Sequence, residues 1–339
     1  MKTNELRNLL SREELVARLA AETEPRTTLS FYRYAHIEHP TRFRNQCYER
    51  WSALGVLGRI YIAPEGINGQ LSVPASRLEE FREALYGVPF LDGTRLNIAI
   101  EARAKSFLKL TIKVREKIVA DGLDDATFDV TRRGRHLNAR EVNDLLDRED
   151  TIVVDMRNHD ESEVGYFEGA IRPAATNFRD LLPAVEDLLA GDRDREIVMY
   201  CTGGIRCEKA SAYYLHRGFS RVSMVDGGII EYARQCEREG LRSRYVGKNF
   251  VFDERLGERI TEDVVSHCHQ CGRPADRQLD CANTSCHILF IQCDDCARRY
   301  DNCCSLKCKD FTGLPEAVRK ELEREMGFRG RFEKAVRGV

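Results

Sequence analysis

Residues 195–218 read REIVMYCTGGIRCEKASAYYLHRG. The apolar run before Cys201 has the length and composition of a fully buried strand. The residues after it have helical periodicity and stop at Gly218, a helix-closing signal. The same grammar extends in both directions. TIVVDMR (151–157) and RVSMVDGG (221–228) read as further buried strands, and AREVNDLLDRE (139–149) and residues 179–190 read as helices. Strands alternating with helices predict a parallel sheet. Ligands of such sheets bind beyond the carboxyl ends of the strands, which is where Cys201 falls.

The turn itself carries chemistry. Thr202, Gly203, Gly204, Ile205 and Arg206 follow Cys201 directly. Paired glycines let the backbone turn tightly enough for several amides to point inward as an anion-binding nest at a helix N-terminus. A thiolate or an anionic sulfur adduct at Cys201 would be favoured by those dipoles and by Arg206. The bland alternative is a cysteine buried at a strand end. Cys207 reads either as a resolving thiol or as a small residue at the helix start.

Upstream the pattern differs. TLSFYRYAHI (28–37) predicts a strand and residues 41–54 a helix. GRIYIAPEGINGQLSVP (58–74) predicts two strands around a turn, residues 75–86 a helix, and RLNIAIEA (95–102) a strand. This β-α-β-β-α-β order is ferredoxin-like, and LKLTIKVREKI (108–118) adds a possible further strand. The expected class is therefore multidomain α/β, in seven segments. They are a helix over 1–24, a ferredoxin-like α+β unit over 25–120, a linker over 121–137, and an α/β unit over 138–236. A connecting segment over 237–266 (with NFVFDERL, 249–256, as a candidate strand), a cysteine-rich module over 267–310 and a charged tail over 311–339 complete the chain.

Nine of the 13 cysteines lie between Cys268 and Cys308. Cys268/Cys271, Cys281/Cys286, Cys293/Cys296 and Cys304/Cys308 are closely spaced pairs, and two pairs complete a tetrahedral site. Eight thiolates suffice for two ions. First-with-third and second-with-fourth pairing is allowed by spacing, as is sequential pairing. Cys303 competes with Cys304, and His267, His269 and His287 are substitutes the count does not require. Structural zinc is the principal reading, with an iron–sulfur cluster or free or disulfide-linked cysteines as alternatives.

Composition bounds the rest. A net charge of −2 gives no bulk attraction to polyanions, so any nucleic acid needs local basic patches. No apolar run approaches the ~20 residues of a membrane span. The charged opening MKTNELRNLLSREELVARLA does not read as a secretory signal. A cytoplasmic protein with no membrane contact is expected.

Residues 138–236 resemble a rhodanese domain through TIVVDMRNHDESEVGYFEGAIRPA (151–174), CTGGIRC (201–207) and VSMVDGG (222–228). That resemblance implies that Asp155 and Arg157 help frame the active-site region. The Gly-His-Ile usual before the Gly-Ala turn is Gly165-Tyr166-Phe167 here. With GRIYIAPEGINGQLSVP, CHQCGRPADRQLDCANTSCHILFIQC (268–293) and CCSLKC (303–308), almost the whole chain resembles the bacterial tRNA uridine hydroxylase family. Its members join an N-terminal ferredoxin-like or acylphosphatase-like domain to a rhodanese domain. The resemblance implies oxygen-dependent formation of 5-hydroxyuridine at the wobble position, with molecular oxygen as co-substrate, the tRNA anticodon loop as partner and Cys201 as the required residue. Phosphates would then meet Arg132, Arg133, Arg135 and His136, Arg33 beside Tyr34, or Arg329, Arg331 and Lys334, although each patch reads first as a solvated charged face. The loop alone also suits a sulfurtransferase carrying a persulfide on Cys201. A non-enzymatic zinc-containing RNA-binding module is a third reading. The sequence does not specify the oligomeric state.

Overall fold

The computed structural model describes residues 6–100, 106–124 and 127–325. Helix α1 (Arg12–Ala21) is shorter than the helix expected over 1–24, because Ser11 caps it. The Glu14 amide donates to Ser11 Oγ and the Ser11 amide to Glu14 Oε2, which fixes the start of the helix.

Next come β1 (Arg26–Tyr34), α2 (Pro40–Ala53), β2 (Leu57–Ala63), β3 (Gly66–Pro74), α3 (Leu78–Tyr86), β4 (Asn97–Ile98) and β5 (Leu110–Val114). They form one sheet in the order β4-β1-β3-β2-β5, antiparallel except for the β2–β5 pair. This is the ferredoxin-like order, and the candidate strand in 108–118 adds the fifth position. The strand expected from RLNIAIEA shrinks to Asn97–Ile98, which pairs with Leu29 and Ser30. Its last two residues lie outside the described ones.

Alternation along these strands builds two different faces. Leu29, Phe31, Ile60, Ile62, Ile67 and Leu71 pack against Trp51 of α2 and Phe81 of α3. Trp51 stands edge-on to Phe31 at 6.2 Å, and burying each such side chain stabilises by roughly 1.5–3 kcal/mol. Phe31 lies opposite Gly69, where a Cβ would come within 2.7 Å of its ring. On the other face, Ser30 aligns with Gln70 and Arg59, and Tyr32 with Asn68 and Tyr61. Among the described residues, neither α2 nor α3 packs on this polar face.

The second unit comprises β6 (Arg135–Leu137), α4 (Ala139–Leu146), β7 (Thr151–Asp155), α5 (His159–Ser162), β8 (Gly165–Phe167), α6 (Phe178–Leu188), β9 (Glu196–Tyr200), α7 (Ile205–His216), β10 (Val222–Val225) and α8 (Gly228–Glu239). Strands β6-β10-β9-β7 form a parallel sheet. Helices α6 and α7 pack on one side through Leu181, Val185, Ala210 and Tyr214. Helices α4 and α8 pack on the other through Val142, Leu145, Ile229 and Tyr232. With both faces covered, every residue of β9 is buried, which explains the apolar run that follows Glu196. The stretch expected as a linker contributes β6 as an edge strand. Three residues with two polar side chains carry no detectable period.

Strand β11 (Tyr245–Asn249) pairs antiparallel with β8 and with β12 (Glu258–Arg259). The strand expected in NFVFDERL thus lies just before it, ending at Asn249. The cysteine-rich part folds as the hairpin β13 (Gln278–Asp280) and β14 (Leu289–Ile291), then α9 (Asp294–Tyr300), α10 (Leu306–Thr312) and α11 (Glu316–Glu325). Among the described residues, no helix is long and apolar enough to cross a membrane.

Candidate active site

Cys201 follows β9 in the interior of the parallel sheet. The amides of Ile229 and Ile230, in the first turn of α8, donate to the carbonyls of Cys201 and Thr202 (3.0 and 3.3 Å). Gly228, at φ +67°, permits this approach: a Cβ there would lie 2.5 Å from the Cys201 carbonyl oxygen. Gly204 turns the chain at φ +96° into α7, and its amide donates to Cys201 Sγ at 3.2 Å. Burial opposes ionisation of Cys201. The Cys207 thiol, the Arg206 charge and the amides of residues 207 and 206 outweigh it, and bring the thiol from 9.0 down to about 6. Cys207 is fully buried behind it, and burial, then the neighbouring sulfur, push its thiol well above the usual range.

Arg206 is held from below. Its Nη1 and Nη2 donate to the two carboxylate oxygens of buried Glu161 at 2.6 and 2.8 Å. Its guanidinium lies over Phe252 at 5.8 Å. Arg206 therefore acts on Cys201 as a fixed, paired charge. Asp155 and Arg157 form a separate buried pair at 2.6 Å. Arg157 also donates to the Gly165 carbonyl and the Tyr245 hydroxyl (2.7 and 3.2 Å), tying β7 to β8 and β11. Neither residue lines the cavity at Cys201.

That cavity measures about 390 Å³. Cys201, Thr202, Gly203, Ile205 and Arg206 form its floor, and Asn158, Asn177, Phe178 and Phe252 stand at its sides. Its roof is the polar face of the N-terminal sheet: Ser30, Tyr32, Arg59, Tyr61, Asn68 and Gln70. The two units are tied around it. Tyr32 donates to Glu208 (3.0 Å), Asn97 Nδ2 to the Gly203 carbonyl (3.4 Å) and Arg234 to the carbonyls of Ile98 and Ala99 (2.9 and 2.6 Å). Lys209 bridges Glu65 and Asp121 at 2.5 and 2.6 Å.

Sequence reasoning missed this roof and Glu161. The signal for the roof was the polar and aromatic alternation of β1, β2 and β3. The signal for Glu161 was its place three residues after Asn158, a helix-start spacing.

The expected phosphate contacts lie elsewhere. Arg133 pairs with Glu208 at 2.7 Å and Arg135 faces Glu141 at 3.7 Å, while Arg132 is exposed. Arg33, Tyr34, Arg133 and His136 line a second cavity of about 430 Å³ across the Gly203 turn. There Asp226, then Glu208, raise the His136 imidazole to about 9. Arg329, Arg331 and Lys334 lie outside the described residues.

The cysteines gather into two sets, Cys268/Cys271/Cys293/Cys296 and Cys281/Cys286/Cys304/Cys308, with the sulfurs of each set within 4.8 Å of one another. First-with-third and second-with-fourth is thus the pairing adopted. Cys271 and Cys293 are 3.7 Å apart, Cys286 and Cys304 3.7 Å, and Cys304 and Cys308 3.6 Å. Thiolates at the zinc–sulfur bond length on a tetrahedron lie about 3.8 Å apart, so each set fits one ion. Cys303 faces Thr312 instead, and His269 faces Glu163.

Three family models match the chain: a UPF0176 acylphosphatase-like domain over residues 26–118, a rhodanese-like domain over 138–235 and a rhodanase C-terminal segment over 246–309. The chain is 55% identical over 316 residues to the tRNA uridine(34) hydroxylase of Photorhabdus laumondii, covering 93% of this chain and 90% of that one. It is 55% identical over 325 residues to the protein of the same name from Cronobacter sakazakii, covering 95% and 93%. Among solved structures, a thiosulfate sulfurtransferase from Pseudomonas aeruginosa overlaps 32% of this chain and 20% of its own, at 25% identity and a TM-score of 0.27, too little to bear on function.

Proposed function

The chain belongs to the tRNA uridine(34) hydroxylase family, and we propose that it is an enzyme converting uridine 34 of tRNA to 5-hydroxyuridine in an oxygen-dependent reaction at Cys201. The observation that carries this reading is the cavity that the cysteine loop and the N-terminal sheet build together, in a chain matching the hydroxylases almost end to end. A cavity of this size accepts one base. Position 34 is the first anticodon nucleotide, and its base must leave the anticodon stack to reach a sulfur so enclosed.

In this reading Cys201 is the nucleophile. Its thiolate adds to C6 of the uracil, and the C5–C6 π electrons move to C5 and onto O4. Carbon 5 then takes one oxygen atom from dioxygen, and the other leaves as water with two electrons and two protons from an external organic hydride or thiol reductant. Loss of the C5 proton and departure of the thiolate from C6 restore the ring. The Gly204 amide and the Glu161-anchored Arg206 keep the sulfur anionic before attack and after release. Asp155 and Arg157 brace the strand ends beneath it.

We further infer one structural zinc ion in each cysteine set. Four sulfurs within 4.8 Å of one another, with individual edges of 3.6–3.7 Å, suit a single tetrahedral ion, whereas a multi-iron cluster would hold its thiolates further apart. The cytoplasm, where tRNA resides, is the expected compartment.

Nucleoside analysis of tRNA tests the proposal. A strain lacking this protein, complemented with the wild-type chain, should contain 5-hydroxyuridine or its derivatives. The same strain carrying Cys201→Ser should not. Equal amounts in both strains would refute the role of Cys201.

A further inference from the structure

The roof of the Cys201 cavity has an unusual composition for a contact between two folded units. Asn68 and Gln70 sit on β3, a central strand, where amide side chains are disfavoured. Apolar side chains would fill such a gap at lower cost, because partly buried polar groups need partners. Among the described residues, the Gln70 side chain makes no hydrogen bond and Arg59 makes no ion pair. Asn68 Nδ2 donates weakly to the Ile118 carbonyl at 3.4 Å, which leaves its Oδ1 as an acceptor. By register, Gln70 lies beside Arg59 on the neighbouring strand. The roof therefore offers an oriented acceptor next to a side chain that can only donate.

A pyrimidine placed for attack at C6 presents a defined edge to this roof. N3 lies across the ring from C6, so N3 points away from the sulfur, with O4 beside it on the C5 side. In uracil that edge is a donor, N3–H, next to an acceptor, O4. In cytosine it is reversed: N3 accepts and the 4-amino group donates. Resting on the reading of uridine 34 as substrate, we infer that Asn68, Gln70 and Arg59 are the specificity-determining residues that read the N3/O4 edge of the base. Asn68 Oδ1 accepts from N3–H, and Gln70 Nε2 and Arg59 donate to O4. Cytosine would set its N3 lone pair against Asn68 Oδ1 and its amino group against Arg59, and is rejected.

The test uses the full chain and three anticodon stem-loops carrying uridine, cytidine or 3-methyluridine at position 34, with binding read by fluorescence anisotropy and 5-hydroxyuridine by nucleoside mass spectrometry. The wild type should prefer uridine over both analogues by roughly 10- to 100-fold. Asn68→Ala/Gln70→Leu should lower that preference to about threefold or less. Its Cys201 should be alkylated at the wild-type rate, as a folded site requires. Should the double variant not fold, Gln70→Glu decides: it keeps the shape and loses the donor, and should weaken uridine binding about tenfold. Undiminished preference for uridine in a folded variant overturns the inference and leaves the hydroxylase reading standing. A wild type that forms no 5-hydroxyuridine and binds all three RNAs equally overturns both.

Discussion

Neutralising the ion pair beneath Cys201 should move the pH at which this sulfur becomes reactive. A thiol brought from 9.0 to about 6 is favoured as its thiolate by roughly 4 kcal/mol. The Cys207 hydrogen bond and the Arg206 charge are the two largest contributions that lower it. Arg206→Met alone is a poor probe. It strands the Glu161 carboxylate, 2% exposed, and costs about 3–5 kcal/mol of stability. Glu161→Gln/Arg206→Met removes both charges and should fold nearly as well as the wild type. An opposite charge at close range is worth about 1–3 pH units, and the lost carboxylate offsets part of this. The midpoint should therefore rise by about 1–2 units, and the thiolate fraction at pH 6.5, with the alkylation it supports, should fall about three- to 25-fold. The assay is iodoacetamide labelling across pH 4.5–9.5, read on the Cys201 peptide by mass spectrometry so that the other cysteines do not interfere. The sign also governs stability. The folded-state value is depressed, so the Cys201 contribution is complete above about 9 and is lost as pH falls through about 6. The stability difference between wild type and Cys201→Ala should thus narrow by roughly 1.4 kcal/mol per pH unit on descending through that window. A double-variant profile superimposed on the wild type, or a wild-type midpoint near 9, would refute the account.

Three further outcomes are expected. Gly228→Ala should abolish the reaction of Cys201 and destabilise the fold by more than about 1 kcal/mol, because a Cβ would sit 2.5 Å from the Cys201 carbonyl in a left-handed conformation; wild-type labelling and melting would contradict this. Cys304→Ser should reduce bound metal from two equivalents to about one or none, whereas Cys303→Ser should leave it unchanged, as elemental analysis of purified protein would show. Asp155→Asn should cost about 3–5 kcal/mol in denaturant unfolding by stranding Arg157, with the Cys201 labelling midpoint close to wild type.

What could be read from sequence was what is written locally. The Cys201 turn declares itself because strand, glycines, arginine and helix are consecutive, and the cysteine pairs because each spans only a few residues. The partner of each pair is a fact of folding, and spacing allowed two answers. The cavity roof was hidden for the same reason. Gln70 and Cys201 are distant in the chain, and their meeting depends on Tyr32, Asn97, Lys209 and Arg234 holding the two units face to face. Asp155 and Arg157 illustrate a different case, since only the resemblance to a rhodanese domain implied that they frame the active-site region. Burial shows them one layer below, where an ion pair can only be structural support. Strand β6 escaped because it borrows its order from β10 and needs no pattern of its own.

The alternating use of cysteine pairs has a consequence for synthesis. If each set holds an ion, as proposed, the first cannot be enclosed until Cys293 and Cys296 have been made, and by then Cys281 and Cys286 already lie between its ligands in the chain. The first set is therefore complete in the chain before the second, which is then still half-made. An unfilled first set would leave six cysteines, those from Cys268 to Cys296, unligated together on a nascent chain. Metal present while the chain is being made would close the first set before the cysteines of the second can compete for it.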